Sequence, residues 1–161
     1  MEMACFFAGG GVKVTVIEMM NKIAGVTDSE ICGVLQAEYE KRGMEFCLGA
    51  KVLRVTDHSV VYEKDGKTVE VPCETVLLSA GRRARSAGIG LETLGVYTER
   101  GAIVTDEKMN TNVAGVYAVG DCNGKSMLAH TAYREAEVAV NNICGVRDAM
   151  RYDSISSVIY T

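Results

Sequence analysis

The sequence has few of the residues that build linkers and metal sites. Pro72 is its single proline, tryptophan is absent, and His58 and His130 are its two histidines. No low-complexity linker or internal repeat is visible. Six cysteines are scattered without CxxC spacing, and this pattern argues against a zinc cluster. Unpaired cysteines are typical of a reducing cytoplasm, where we expect the protein to reside.

Charge and hydropathy exclude two further classes of protein. The formal net charge is −4, and the one dense basic cluster, residues 82–85, is expected to be a solvated loop, so no nucleic-acid surface is predicted. No apolar run approaches the roughly 20 residues of a membrane-spanning helix. The N-terminus carries acidic Glu2 and no basic region, which argues against a signal peptide. The hydrophobic content of 48% is typical of a soluble globular protein.

The first part of the chain predicts helices alternating with strands. Residues 1–9 are predicted to form a helix that the following glycines end. The β-branched run at residues 12–18 predicts a buried strand that closes on Glu18. Thr27 or Asp28 can cap a second helix that ends at Gly43, and residues 45–48 form the next predicted strand. The apolar face of the second helix is predicted to contain Ile31, Val34 and Leu35.

Three short strands then predict an antiparallel meander. They are residues 51–56, 59–64 and 67–72, and Lys64–Lys67 (KDGK) is a strong hairpin turn between the last two. An apolar run that ends at Gly81 follows the meander.

The last part of the chain predicts short elements and one long helix. A helical turn is predicted at residues 91–94, and residues 102–106 and 115–121 are strand-like. Residues 126–145 predict a strong helix whose first turn contains Met127 to His130. Its predicted apolar stripe consists of Ala129, Ala132, Ala136, Ala139, Val140 and Ile143.

Glu18 is a candidate ligand for a nucleotide. In a doubly wound sheet, the carboxylate that ends the second strand accepts hydrogen bonds from the adenosine ribose, and its charge disfavours the 2′-phosphate of NADP. A surface glutamate at a strand end is the other interpretation of this residue. The G-x-G-x-x-G turn that should precede it is missing, because the glycines at positions 9–11 follow the first helix instead of preceding it.

Gly120 and Asp121 form the second candidate site. Asp121 is an acceptor-only side chain at the end of an apolar run, where the hydroxyl groups of a ligand could donate hydrogen bonds. Gly120 permits close approach of the backbone. The N-terminus of the long helix lies six to nine residues further on and suits an electron-rich ligand edge. Together, these features predict that Asp121 and the start of the helix bind two parts of one elongated ligand.

The motifs resemble those of a known enzyme family. TNVAGVYAVGDC resembles the second flavin-binding motif of the FAD-dependent pyridine nucleotide–disulfide oxidoreductases. VTVIE, VLLSAGRR and MLAHTAYREAEVAV are similar to the dihydrolipoamide dehydrogenase branch of that family, with mercuric reductases nearby. The similarity covers nearly the whole chain and stays in order.

The resemblance implies roles for eight residues. Asp121, preceded by Gly120, would hold the ribityl or pyrophosphate region of FAD. Met127, Leu128 and Ala129 would aim backbone N–H groups at the flavin pyrimidine edge.

For NAD, the resemblance implies that Glu18 takes the ribose and that Glu2 lies near the nicotinamide. Gly81 would lie where the dinucleotide passes over the sheet.

Several parts of the family's machinery are missing. The redox-active C-x-x-x-x-C pair is absent because no two cysteines are five positions apart. The family's catalytic His–Glu pair lies in a dimerisation domain beyond Thr161, so we expect no catalytic role for His130. The first FAD glycine fingerprint is missing as well. Ser156 stands where the family usually has a proline.

The expected fold is therefore an α/β, FAD/NAD(P)-binding, Rossmann-like three-layer domain with an antiparallel β-meander, and it is incomplete. Residues 1–80 are predicted to belong to the NAD-binding domain and residues 81–150 to a returning segment of the FAD-binding domain. Residues 151–161 are predicted to begin the dimerisation domain.

The parent protein is expected to pass electrons from dihydrolipoamide to NAD through FAD, as a homodimer, and this chain is expected to be an inactive fragment. Its unpaired strand edges predict self-association or a sheet that has closed up. Two alternatives stay open: a non-redox nucleotide-binding or structural module, and a related enzyme such as a mercuric reductase or NADH oxidase.

Overall fold

The computed structural model describes all 161 residues, and the chain divides into two compact units. The first unit comprises Met1–Leu78 and Val158–Thr161, and the second comprises Ser79–Ser157. The elements of the first unit are α1 (Glu2–Gly9), β1 (Thr15–Glu18), α2 (Ser29–Lys41), β2 (Glu45–Leu48), β3 (Lys51–Val55), β4 (Ser59–Lys64) and β5 (Lys67–Pro72). The second unit contains α3 (Leu91–Leu94), β6 (Thr98–Glu99), β7 (Ala102–Ile103) and α4 (Ala129–Ile143), with 3₁₀ helices at Asp121–Asn123 and Tyr152–Ser154.

A parallel strand pair and its crossover helix form the first part of unit one. β1 pairs with β2 in parallel, from Thr15 opposite Glu45 to Glu18 opposite Leu48, and α2 connects the two strands. Asp28 caps α2, because its side chain accepts hydrogen bonds from the backbone N–H groups of Glu30 and Ile31. Of the two predicted capping residues, Asp28 is therefore the one that acts.

The buried face of α2 differs from the predicted one. Cys32 and Tyr39, which lie seven residues apart on one side of the helix, are buried. Ile31 and Val34 are 61% and 69% exposed, so their predicted place in the core is wrong. The large ring of Tyr39 decides the orientation, because it stacks on Phe46 of β2 with ring centroids 6.5 Å apart.

The predicted meander is confirmed, with β4 between β3 and β5. The first four residues of β4 are buried, whereas both outer strands are largely exposed. Asp65 and Gly66 in the β4–β5 turn both have positive φ, as a type I′ turn requires. The apolar residues 75–81 form no strand, because they have no ladder partner within the chain.

Two apolar clusters form the core of the second unit. One contains Leu91, Val96, Ile103 and Ala118, and the other contains Met109, Val138, Ala139 and Met150. The predicted strand at residues 115–121 is wrong: its single pairing is a bridge between Asn110 and Tyr117. Gly115 and Gly120 have φ values of 78° and 80°, outside the β region, and they turn the backbone at both ends of the segment.

The long helix α4 is confirmed, and its predicted apolar stripe is partly right: Ala139 is buried, and Ala132 and Ala136 are half-buried. The buried residues are Thr131, Glu135, Val138 and Ala139. Val140 and Ile143, both assigned to the apolar stripe, are 56% and 60% exposed. The core-facing side is thus set by two polar residues as well as two apolar ones, which a purely hydrophobic pattern does not detect.

No helix in the structure is both long and apolar enough to cross a membrane. All six cysteines are free thiols, and no three His, Cys, Asp or Glu side chains are grouped as a metal site.

Candidate functional site

The turn at Gly120 and Asp121 lies against α4. Gly120 has φ 80° and ψ −159°, a conformation that is essentially restricted to glycine. A Cβ atom built on Gly120 would lie 3.4 Å from the Cβ of Ala132 in α4, so the two backbones approach closely. Asp121 begins the 3₁₀ helix, and its exposed carboxylate forms no ion pair or hydrogen bond within the chain. An acceptor is therefore available at the end of a rigid turn.

A buried carboxylate holds this turn in place. The side chain of Glu135 is completely buried. Its Oε2 accepts hydrogen bonds from the backbone N–H of Gly120 (2.5 Å) and from Nδ2 of Asn123 (2.8 Å), and its Oε1 accepts one from the hydroxyl of Tyr152 (2.7 Å). Burial, followed by this bond to Glu135, raises the pKa of Tyr152. Three donors thus satisfy the carboxylate without a cation.

Sequence reasoning missed Glu135, Asn123 and Tyr152. The available signal was the position of Glu135, an acidic residue on the same side of α4 as the small apolar residues that were assigned to the core. A charged residue is almost never fully buried unless it has partners, so this position could have pointed to a buried network.

The N-terminus of α4 is open to a ligand. The helix begins at Ala129, its N-cap residue Leu128 makes no side-chain cap, and its first turn contains no acidic residue. Its first N–H groups and the positive end of its dipole therefore remain available. Met127 precedes the helix instead of lying in its first turn, because the predicted start at residue 126 is three residues too early.

A basic groove of about 460 Å³ lies in the same unit. Arg82, Arg83 and Arg100 line it together with Lys125, and Glu99 is the one acidic residue in the lining. Lys125 donates through Nζ to the backbone oxygens of Thr105 and Asp106, whereas the three arginines form no ion pair. Arg82 and Arg83 are exposed and lie outside any helix or strand, as the prediction of a solvated loop requires. Together with Arg100 they place positive charge along this groove.

Cys122 and His130 show no nucleophilic or acid–base arrangement. Burial raises the pKa of the Cys122 thiol, which donates to the carbonyl of Val119 at 3.2 Å, so the thiol stays protonated at neutral pH. Nε2 of His130 lies 2.9 Å from the carbonyl oxygen of Ser156, and no carboxylate pairs with the ring.

The residues predicted to bind NAD fall in two units. Glu18 ends β1 half-buried, and its Oε1 accepts a hydrogen bond from the backbone N–H of Met20 at 2.8 Å. Glu2 is exposed at the start of α1, where its Oε1 accepts from the backbone N–H of Tyr160 at 2.8 Å. Gly81, with φ 99°, lies in the second unit. No single unit therefore brings all three together.

Comparison with known proteins defines the class of protein to which this fold and turn belong. The family model described as pyridine nucleotide-disulphide oxidoreductase matches residues 1–136. The chain belongs to this family. The resemblance inferred from the motifs and the incomplete α/β Rossmann-like fold class are therefore confirmed.

Within this family, the chain is similar to dihydrolipoyl dehydrogenases. The chain is 43% identical over 148 residues to the dihydrolipoyl dehydrogenase of Acholeplasma laidlawii, covering 92% of this chain and 44% of that relative. It is 40% identical over 151 residues to the dihydrolipoyl dehydrogenase of Bacillus subtilis, covering 90% and 32%. The chain thus spans less than half the length of these relatives.

Solved structures of other proteins have a fold similar to that of this chain. LpdA from Mycobacterium tuberculosis superposes with a TM-score of 0.88 at 26% identity, covering 99% of this chain and 36% of LpdA. The HOCl-induced flavoprotein disulfide reductase RclA from Escherichia coli, at 23% identity and a TM-score of 0.78, shares the fold.

Proposed function

We propose that residues 1–161 are an internal segment of an FAD-dependent oxidoreductase that passes electrons from dihydrolipoamide to NAD. The parent protein would act as a homodimer in the cytoplasm, and this segment alone would not turn over. The observation that carries the proposal is the exposed, unpaired carboxylate of Asp121 on a turn that is fixed against α4. The dihydrolipoyl dehydrogenases among the relatives support the choice of reaction.

The second unit fits a flavin dinucleotide. Asp121 can accept hydrogen bonds from hydroxyl groups of the ribityl chain, because no cation or donor within the chain competes for it. The uncapped start of α4 at Leu128 and Ala129 offers N–H donors and a positive dipole end to the pyrimidine edge. The arginines of the basic groove supply positive charge in the same unit. We assign Gly120, Asp121, Met127, Leu128 and Ala129 to FAD.

The first unit fits the adenosine end of NAD. Glu18 lies at the carboxyl end of a parallel strand, the position at which open α/β sheets bind nucleotides. Met20 occupies Oε1, and Oε2 has no partner within the chain, so one oxygen is available to a ribose hydroxyl. We assign Glu18 to the ribose, Glu2 to the nicotinamide end and Gly81 to the dinucleotide path.

In this proposal, the residues of this segment bind and orient the cofactors and transfer no protons in the reaction. FAD, when bound, would carry electrons from the dithiol to NAD. Asp121 and the start of α4 would fix the flavin at two places, which sets the ring orientation. N–H donors at a helix N-terminus stabilise negative charge and so favour a reduced, anionic ring. The family's catalytic dithiol has no counterpart here, because all six cysteines are free thiols and none are five positions apart.

The test uses the parent protein and this chain side by side. The full-length protein is expected to contain FAD and to form NADH from NAD when dihydrolipoamide is supplied. The 161-residue chain is expected to form none and to bind NAD more weakly than the micromolar range in a calorimetric titration. A full-length protein without flavin that reduces no pyridine nucleotide would defeat the proposal, and micromolar NAD binding by the chain would defeat its second part.

A further inference from the structure

Glu135 is a fully buried acidic side chain with no role in the proposed function. It connects three separate parts of the second unit: the 3₁₀ turn from Gly120 to Asn123, helix α4, and the segment that contains Tyr152. Burying a carboxylate is costly unless donors surround it, and the folded chain supplies three of them. Two of these donors belong to the turn that presents Asp121.

We propose that Glu135 is a positioning residue for FAD binding. It would hold the turn from Gly120 to Asn123 so that the carboxylate of Asp121 faces the FAD. This inference rests on the proposed role of Asp121. The contact acts on the backbone, because the N–H of Gly120 immediately precedes Asp121 and is bound at 2.5 Å. Asn123, at the other end of the 3₁₀ turn, is bound to the same oxygen at 2.8 Å. Both ends of the turn are therefore fixed to one atom.

The use of a single oxygen makes a specific chemical prediction. Gly120 and Asn123 both donate to Oε2, so one acceptor is enough to hold the turn. A glutamine at position 135 can keep this acceptor as its carbonyl oxygen and direct its NH₂ group at the hydroxyl of Tyr152, which can accept. A methionine of similar volume offers no comparable acceptor, and it leaves two buried donors unpaired.

The experiment compares Glu135→Gln with Glu135→Met in the full-length protein, with Glu137→Gln as the matched control. Glu137 lies on the exposed surface of α4 and pairs only with Arg134. The dissociation constant for FAD is measured by adding FAD to apoprotein and following the quenching of flavin fluorescence. We expect Glu135→Met to weaken FAD binding about tenfold or more, as the loss of a buried hydrogen bond predicts. Glu135→Gln and the control should stay close to the unchanged protein. Equal losses for Gln and Met, or no loss for Met, would overturn the inference.

A double-variant cycle tests whether Glu135 acts through Asp121. Asp121→Ala, which removes the acceptor, combined with Glu135→Met should lose no more affinity than the weaker-binding single variant. Losses that multiply would show that Glu135 acts independently, and this would overturn the positioning role. An unchanged affinity in Asp121→Ala alone would defeat the proposed role of Asp121 and this inference with it. If the variant at Asp121 weakens FAD binding but Glu135→Met does not, this inference alone would be defeated.

Hydrogen exchange tests the contact between Glu135 and Gly120 itself, even if Glu135→Met does not fold. In the unchanged protein, the amide of Gly120 should exchange slowly, whereas that of Gly115, which has no acceptor within the chain, should exchange quickly. Exchange of Gly120 at the rate of Gly115 would overturn the inference.

Discussion

Individual residues show how far a motif can be interpreted and where the interpretation ends. Glu18 and Asp121 could be chosen from the sequence because each follows a run of small or β-branched residues, and both lie outside any ion pair in the structure. The position of Glu135 among small apolar residues could indicate that it is buried, but its partners could not be predicted, because Asn123 and Tyr152 are 12 and 17 residues away. A contact over such a separation depends on the fold and leaves no local pattern.

Glu18→Gln should change the preference between the two pyridine nucleotides. In the proposed role of Glu18, the substitution removes the negative charge that would accept hydrogen bonds from the ribose hydroxyls and repel a 2′-phosphate. In the full-length protein, we expect kcat/KM for NAD to fall about tenfold and the ratio of NADP to NAD use to rise. Steady-state rates with each nucleotide measure this. Glu40→Gln, an exposed change on α2, is the control, and an unchanged nucleotide ratio in Glu18→Gln would remove Glu18 from the NAD site.

The pair formed by Arg134 and Asp148 should make stability depend on pH. Two hydrogen bonds of 2.6 and 2.8 Å join them, and this contact is the main reason that the pKa of Asp148 is lowered to about 2. The unfolded pKa is about 4, so the stabilisation is present above about pH 4 and is lost as the pH falls towards about 2. Asp148→Asn should therefore unfold at lower urea concentration than the unchanged chain at pH 6, and this difference should shrink between about pH 4 and about pH 2.

Asp153→Asn is the control for this measurement. Asp153 pairs with Arg151 at 3.5 Å, with side chains 73% and 76% exposed, and an ion pair so exposed contributes little. A stability difference for Asp148→Asn that does not vary with pH would contradict the assignment.

At the scale of helices and strands, the sequence predicted which elements form better than which side of each element is buried. The helix from Ala129 and the meander were predicted because their periodicity and turn residues are local properties. The buried face of α2 was predicted incorrectly and that of α4 only in part, because tertiary partners, such as Phe46 for Tyr39, decide which side of a helix is covered. The strand expected at residues 115–121 did not form because a strand needs a neighbour, and the chain supplies a single bridge.

Gly124→Ala tests how tightly the turn from Gly120 to Gly124 packs against β7. Gly124 has φ 70°, and a Cβ added there would lie 2.7 Å from the Cβ of Ala102. Gly115, at φ 78° with nothing within 4 Å, is a matched control that carries the conformational cost alone. We expect Gly115→Ala to cost about 1 kcal/mol and Gly124→Ala about 2–4 kcal/mol in urea unfolding, because the second change also overpacks. Equal losses would show that the turn is not packed against β7.

At the scale of the whole molecule, the chain corresponds to only part of the length of its relatives. The region similar to the Acholeplasma laidlawii dihydrolipoyl dehydrogenase comprises 92% of this chain but 44% of that protein. Large apolar side chains lie open on its surface, among them Phe6 at 70% and Leu78 at 82% exposed. β1 has β2 as its single neighbour, so one edge of this strand is unpaired. Open strand edges and exposed apolar residues both favour association between copies.

The isolated 161-residue chain should therefore self-associate. Sedimentation velocity over a wide range of concentrations is expected to show a weight-average mass that rises above the 17.3 kDa of one chain. A single species of monomer mass at every concentration would contradict this expectation.

The most direct test of the central claim is the visible spectrum of the full-length protein during a two-step mixing experiment. The purified protein should show flavin absorbance that bleaches when dihydrolipoamide is added without oxygen and returns when NAD is added. The Asp121→Ala variant should retain less flavin. A protein that shows no flavin absorbance, or whose flavin responds to neither reagent, would contradict the account.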